Sequence, residues 1–98
     1  MSLVKGLVKT MIQTIVEITN KEGLHARPAS EFSKASMKYK SDIKVYKNSD
    51  EKGYNPKSIL SVMSMGAVKG DILRIEASGE DEAIAIESLK TIIESFNK

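Results

Sequence analysis

Ninety-eight residues, 41% of them apolar, bound the chain to one domain with a modest two-layer core. A net charge of +2, spread evenly, leaves no case for a nucleic-acid footprint, and no apolar run approaches the roughly 18 residues of a membrane span. With no cysteine there is neither a disulfide framework nor a thiolate metal site, a composition compatible with a reducing cytoplasm.

Met1 to Thr10 is basic and mildly apolar, with Lys5 and Lys9. It is too short and too weakly apolar for a secretory signal. Residues 1–10 are read as an N-terminal extension, an added leader or an upstream start, with a short helix as the rival. Residues 11–98 carry the domain. Ile12, Thr14, Val16 and Ile18 alternate with Gln13, Glu17 and Thr19, the pattern of a half-buried strand broken only at Ile15. Asn20-Lys21-Glu22-Gly23 then gives a turn.

A helical pattern follows from Ala26 to about Lys38. Ala29, Phe32, Ala35, Ser36 and Tyr39 recur at three to four, with Glu31, Lys34 and Lys38 facing away. Pro28 falls in the first turn, where its missing N–H is no loss. Ile43 and Val45 mark a second strand. Asn48 to Gly53 is a polar turn, and a short third strand is expected around Gly53 to Asn55. Pro56-Lys57-Ser58 opens a second helix with Ser58 as its N-cap and Gly66 as its close. Ile59, Val62 and Met63 are spaced to share one face, leaving Leu60 to solvent. Leu73, Ile75 and Ala77 form the final strand. Asp81 is expected to cap a last helix whose stripe is Ala85, Ile86, Leu89, Ile92, Ile93 and Phe96.

The element order is β-α-β-β-α-β-α. Crossovers this short argue against a doubly wound parallel sheet. The expected fold is α+β: an open-faced β-sandwich, a four-stranded antiparallel sheet with helices packed on one face and a polar second face carrying Glu17, Lys44, Arg74 and Glu76.

Gly23-Leu24-His25-Ala26-Arg27-Pro28-Ala29 is the stretch with chemistry in it. His25 is the only histidine and falls at or beside the N-cap. Free N–H groups and the positive end of a helix dipole surround it. Arg27 adds a planar donor fork suited to phosphate oxygens. A lone histidine at a helix start is more often a plain polar turn residue. Here an imidazole nucleophile, a helix N-terminus and an arginine together describe a place to hold a phosphoryl group. The second informative stretch is Asn55 to Gly70. On residue chemistry alone Ser58 is a helix cap. Its aliphatic and methionine neighbours Ile59, Leu60 and Met63 are a candidate docking patch, against the plainer alternative that Met63 and Met65 fill gaps in the core.

Gly23 to Ser30 resembles the phosphorylation-site signature of HPr, the histidine-containing phosphocarrier family of the bacterial phosphoenolpyruvate:sugar phosphotransferase system. Lys57-Ser58-Ile59 with Val62-Met63-Ser64 and Gly66 resembles the regulatory-serine segment of that family in low-GC Gram-positive bacteria. The resemblance covers about residues 12 to 96. It implies strand order 1-4-2-3 and a cytoplasmic phosphoryl carrier without turnover of its own, needing no cofactor and no metal. His25 accepts the phosphoryl group, with Nδ1 the nitrogen the resemblance suggests. Arg27 and the backbone N–H groups of Ala26 and Arg27 stabilise it. The implied donor is phosphorylated Enzyme I and the implied acceptors are sugar-specific IIA domains. Ser58 is the implied target of HPr kinase/phosphorylase, with a catabolite repressor as a further partner, and Ile59, Leu60 and Met63 belong to a shared docking face. No nucleic acid and no stable membrane association are expected. Two alternatives stay open: a carrier in a nitrogen or regulatory phosphorelay, and a small ligand- or RNA-binding α+β domain. Against the last, Tyr39, Tyr46 and Tyr54 are scattered and form no stacking pair. The departures from the family pattern are the leader, the longer Lys47 to Lys52 turn, and Pro56 just before the Lys-Ser pair.

Overall fold

The computed structural model describes residues 10–97. The extension read over residues 1–10 lies, but for Thr10, outside them. Three strands and three helices alternate: β1 (Ile12–Glu17), α1 (Ala26–Ser36), β2 (Asp42–Lys47), α2 (Ile59–Met65), β3 (Ile72–Ser78) and α3 (Glu82–Phe96). The strands form one antiparallel sheet in the order β1-β3-β2. β3 is central, with Ile75 opposite Thr14 on one side and Val45 on the other.

The alternation in the sequence sets which face is dry. Val16, Ile43, Val45, Leu73, Ile75 and Ala77 point inward and are buried. α3 lies across β1 and β3 and turns Ala85, Ile86, Leu89 and Ile93 onto them. α1 packs beside α3 through Ala29, Phe32 and Ala35, and α2 packs beside α1. The small residues of α1 allow the close approach, and Phe32 is fully buried, an effect of about 1.5–3 kcal/mol. The other sheet face is open and mostly polar. There the Arg74 guanidinium lies 4.2 Å from the Tyr46 ring centroid and pairs with Glu76.

Three expectations are corrected. The sheet has three strands among the described residues, not four, so the order 1-4-2-3 is not formed as such. The expected third strand shrinks to one bridge, in which Val45 and Tyr54 exchange two backbone hydrogen bonds of 2.9 Å. The following backbone is committed to a turn. Asn55 N–H donates to Ser61 Oγ (3.1 Å), the Lys57 N–H donates to Asn55 Oδ1 (3.0 Å), and Pro56 has no N–H to offer a ladder.

The second correction concerns α2. Its buried residues are Val62 and Met65, whereas Ile59, Leu60 and Met63 are all exposed. Met65 fills the core and Met63 does not. The third concerns Asp81. It occupies the N-cap position of α3 but makes no side-chain cap bond. Its carboxylate instead accepts from the Lys40 N–H (2.8 Å), the Ser41 N–H (3.0 Å) and Ser41 Oγ (2.5 Å), pinning the α1–β2 loop. Those bonds, that of the Ser41 hydroxyl above all, hold the Asp81 carboxyl below its ordinary pKa of 3.8.

Candidate functional site

The β1–α1 loop is shaped by contacts made far along the chain. Gly23 has φ +63°, and a Cβ there would stand 2.8 Å from Val68 Cα and closer still to Ala67 O. Only glycine meets both demands. The neighbouring Leu24 is buried, and its N–H donates to Ala67 O at 3.0 Å. Within the loop, Asn20 Nδ2 donates to Gly23 O at 3.1 Å and the Gly23 N–H donates to Asn20 O at 3.2 Å. The loop is therefore pressed against the segment that follows α2.

From this base the chain enters α1. His25 is the N-cap, extended at φ −124° and ψ 161°, and half-buried. Its side chain makes no capping hydrogen bond. Serine or aspartate at this position normally closes the helix end on itself. His25 leaves the N–H groups of the first turn without that partner and keeps its own ring uncommitted to them. Ala26 then has φ +52°, a left-handed conformation in a residue that is not glycine. Such backbone costs about 1–3 kcal/mol and persists only where the surroundings over-determine it. The loop contacts just described supply that constraint.

Ala26 and Arg27 are exposed, and with Pro28, Asn20, Glu22 and Phe96 they line a shallow depression of about 340 Å3 beside the histidine turn. The first turn of α1 holds no acidic side chain, which keeps the positive end of the helix dipole uncompensated from within the helix. Glu22 supplies a carboxylate at the edge of the same depression.

Ser58 is placed differently. It caps α2 with its own side chain, Oγ accepting from the Ser61 N–H at 3.2 Å. Gly66 closes the helix at φ +64°. Lys57 is turned away from the helix and donates from Nζ to Ser41 O at 2.8 Å. The seven residues of α2 span about 10 Å, so Ser58 stands one helix length from the Ala67 contact with the histidine loop. Ile59, Leu60 and Met63 extend from Ser58 along the exposed side of α2, at 40%, 76% and 45% exposure. The fold thus brings α2 against α1, but it is the far end of α2, not Ser58, that supports His25.

These geometries can be set beside known proteins. Residues 12–95 match the family described as "PTS HPr component phosphorylation site". The chain belongs to the HPr family. It is 37% identical to the phosphocarrier protein HPr of Neisseria meningitidis serogroup A, over 88% of this chain and 94% of that relative. The crystal structure of HPr-C-His from Thermoanaerobacter tengcongensis superposes with a TM-score of 0.81 at 42% identity, covering 88% of this chain and 94% of the other. A mycoplasma structure described as the histidine-containing phosphocarrier protein gives a TM-score of 0.81 at 37% identity, covering 88% and 96%. HPr-family proteins are phosphocarriers of the phosphotransferase system, and this chain is a carrier in that sense, not a catalyst with its own turnover.

Several residues that shape the site were not singled out from sequence. Asn20 carried a turn signal and nothing more. Asn97 carried no signal at all, though its side chain bonds the end of β1. Asp71 stands just before β3. Its carboxylate accepts from the Val68 N–H (2.9 Å) and Asn48 Nδ2 (3.1 Å) and fixes the loop that abuts Gly23. The Val68 bond first, then Asn48, lowers its pKa.

Proposed function

We propose that His25 carries the phosphoryl group, taking it from phosphorylated Enzyme I and passing it to sugar-specific IIA domains. The observation that carries this reading is the placement of the chain's only histidine. It is the N-cap of α1, its ring makes no cap bond, and the first turn beyond it has no acid. Imidazole is a usable nucleophile near neutral pH. A ring nitrogen lone pair, at Nδ1 by resemblance, attacks the phosphorus of the donor. The new N–P bond forms as the donor's bond to phosphorus breaks, and that electron pair returns to the donor. The same exchange, with this chain as donor, loads the acceptor.

Stabilisation of the bound group comes from three sources. The N–H groups of Ala26 and Arg27 lie in the first turn of α1, where no intrahelical acceptor reaches them. Arg27 offers a guanidinium fork. The helix terminus adds about 0.3–1 kcal/mol per exposed charge interaction. These are modest magnitudes, and they suit a carrier, since a deep well on His25 would hold the phosphoryl group back from its acceptors.

The exposed Ile59, Leu60 and Met63 fit a face engaged transiently by both donor and acceptors. Ser58 is proposed as a regulatory phosphorylation site for HPr kinase/phosphorylase, with a catabolite repressor as a reader of the modified form. A phosphate there adds about −1.5 to −2 charge beside that apolar face. It would sit at a helix N-terminus, which tolerates negative charge, so the expected effect is on docking and not on the fold. The setting is the cytoplasm, where these partners act. Among the described residues no helix is long and apolar enough to cross a membrane. The family assignment disfavours the ligand- or RNA-binding reading.

The test is incubation with Enzyme I and phosphoenolpyruvate, followed by intact-mass measurement. A gain of one phosphoryl group is expected, absent in His25→Ala. An unchanged mass, or a gain that survives in His25→Ala, overturns the assignment. Transfer onward to a sugar IIA domain in preference to a nitrogen-branch acceptor separates the sugar system from a regulatory phosphorelay.

A further inference from the structure

The C-terminal end of α3 reaches the histidine loop through one side chain. Asn97 Oδ1 accepts from the backbone N–H groups of Thr19 (2.9 Å) and Asn20 (3.2 Å), and Asn97 Nδ2 donates to Glu17 O (2.7 Å). Three hydrogen bonds thus join positions 77 to 80 residues apart at the point where β1 ends and the loop begins. The carbonyl oxygen uses both of its lone pairs, on consecutive N–H groups.

The contact passes directly into the loop. Asn20, whose N–H is held by Asn97, is itself buried and closes the turn by donating to Gly23 O. Gly23 and Leu24 are next, and His25 follows. Phe96, the residue before Asn97, lines the same depression as Ala26 and Arg27. Asn97 lies beyond residues 12–95, the span matched to the family, so that match assigns it nothing.

We propose that Asn97 is a positioning residue for the phosphoryl site. It fixes the end of β1, which lets Asn20 close the turn. The closed turn sets where the His25 ring and the N–H groups of Ala26 and Arg27 stand relative to the incoming phosphorus. Phosphoryl transfer is sensitive to such placement, because displacements near 1 Å can lower a rate about 100-fold. Asn97 touches neither the ring nor the phosphoryl group. Its action is through Thr19 and Asn20. The proposal rests on the reading of His25 as the acceptor.

The test uses the full chain with Asn97→Ala and with Asn97→Asp, which keeps an acceptor for the two N–H groups but loses the donation to Glu17 and turns a carboxylate oxygen toward that carbonyl. With Enzyme I and phosphoenolpyruvate, kcat for phosphorylation of the chain is expected to fall about tenfold in Asn97→Ala. KM should change little, because Ile59, Leu60 and Met63 are on another helix. Asn97→Asp should recover to within about threefold of the parent. In parallel, NMR of the unphosphorylated chains should show moved His25 ring resonances in Asn97→Ala, restored toward the parent in Asn97→Asp. A kcat for Asn97→Ala within twofold of the parent, or an Asp variant as slow as the alanine one, overturns the proposal. If the parent itself accepts no phosphoryl group, the reading of His25 fails instead. The ring resonances then decide the positioning claim, and unmoved signals in Asn97→Ala reject it. If Asn97→Ala does not fold, the same two readouts on Asn97→Asp decide: a folded Asp variant with its ring near the parental position and kcat within about threefold of the parent is required, and a displaced ring or a slower variant rejects the proposal.

Discussion

The starts of α1 and α2 solve the same problem in opposite ways. Each opens with an extended N-cap residue and each lacks an acid in its first turn. Ser58 satisfies its own helix, its hydroxyl accepting from the Ser61 N–H, and its surroundings are local. His25 gives its helix no such bond. Its loop is held from outside, by Ala67 and Val68 after α2 and, through the Asn20 N–H, by Asn97. The difference is functional in kind. A side chain committed to capping is available only by giving that bond up. A side chain held in place by distant backbone contacts is free for chemistry while its position stays fixed. The left-handed Ala26 is the local sign of that external constraint.

The largest expected effect breaks the comparison at its chemical end. His25→Ala should abolish the phosphoenolpyruvate-dependent mass gain altogether, whereas Ser58→Ala should leave it intact. Next is the external hold. Gly23→Ala puts a Cβ against Val68 Cα at 2.8 Å on a left-handed backbone, and chemical denaturation should show a loss of about 2–4 kcal/mol. The same experiment on Ser58→Ala should show only the loss of one cap, about 1 kcal/mol. Ala26→Gly works in the other direction. It relieves about 1–2 kcal/mol of left-handed strain against about 0.5–1 kcal/mol of extra unfolded-chain entropy, so the unfolding midpoint should rise slightly.

The smallest effect concerns the third helix start. Asp81, unlike Ser58, serves a remote partner in place of its own helix, and its carboxyl pKa is lowered by bonds from Ser41 and Lys40. A lowered carboxylate contributes stability that is fully present above its unfolded value, near 3.8, and is lost as the pH falls through the lower folded value. Stability against pH for Asp81→Asn should therefore run below the parent at neutral pH and converge on it in strong acid. Parallel curves would remove this account of Asp81.

Much of this was legible in the sequence because it is periodic or local. The alternation of Leu73, Ile75 and Ala77 placed the central strand, and the stripe from Ala85 to Phe96 placed α3 on the sheet. His25 and Ser58 were placed at helix starts by their neighbours alone. What stayed hidden is long-range. Asn97 looks like a polar tail residue until it is seen bonded to Glu17, Thr19 and Asn20. Asp81 has the right type and position for a cap, and only the nearness of Ser41 redirects it. On α2, spacing alone could not say which of Ile59, Val62, Met63 and Met65 faces inward, because all four are apolar and the helix has two turns. The expected third strand failed for a local reason, an Asn-Pro turn whose hydrogen bonds outcompete the ladder after Tyr54.

The central claim, that the phosphoryl group rides on His25, is tested most directly by NMR of the chain loaded from phosphoenolpyruvate through Enzyme I, with 15N-labelled histidine. The account predicts phosphorus coupled to His25 Nδ1. Phosphorus coupled to no histidine nitrogen, with the group found on Ser58 or any other residue, would contradict it.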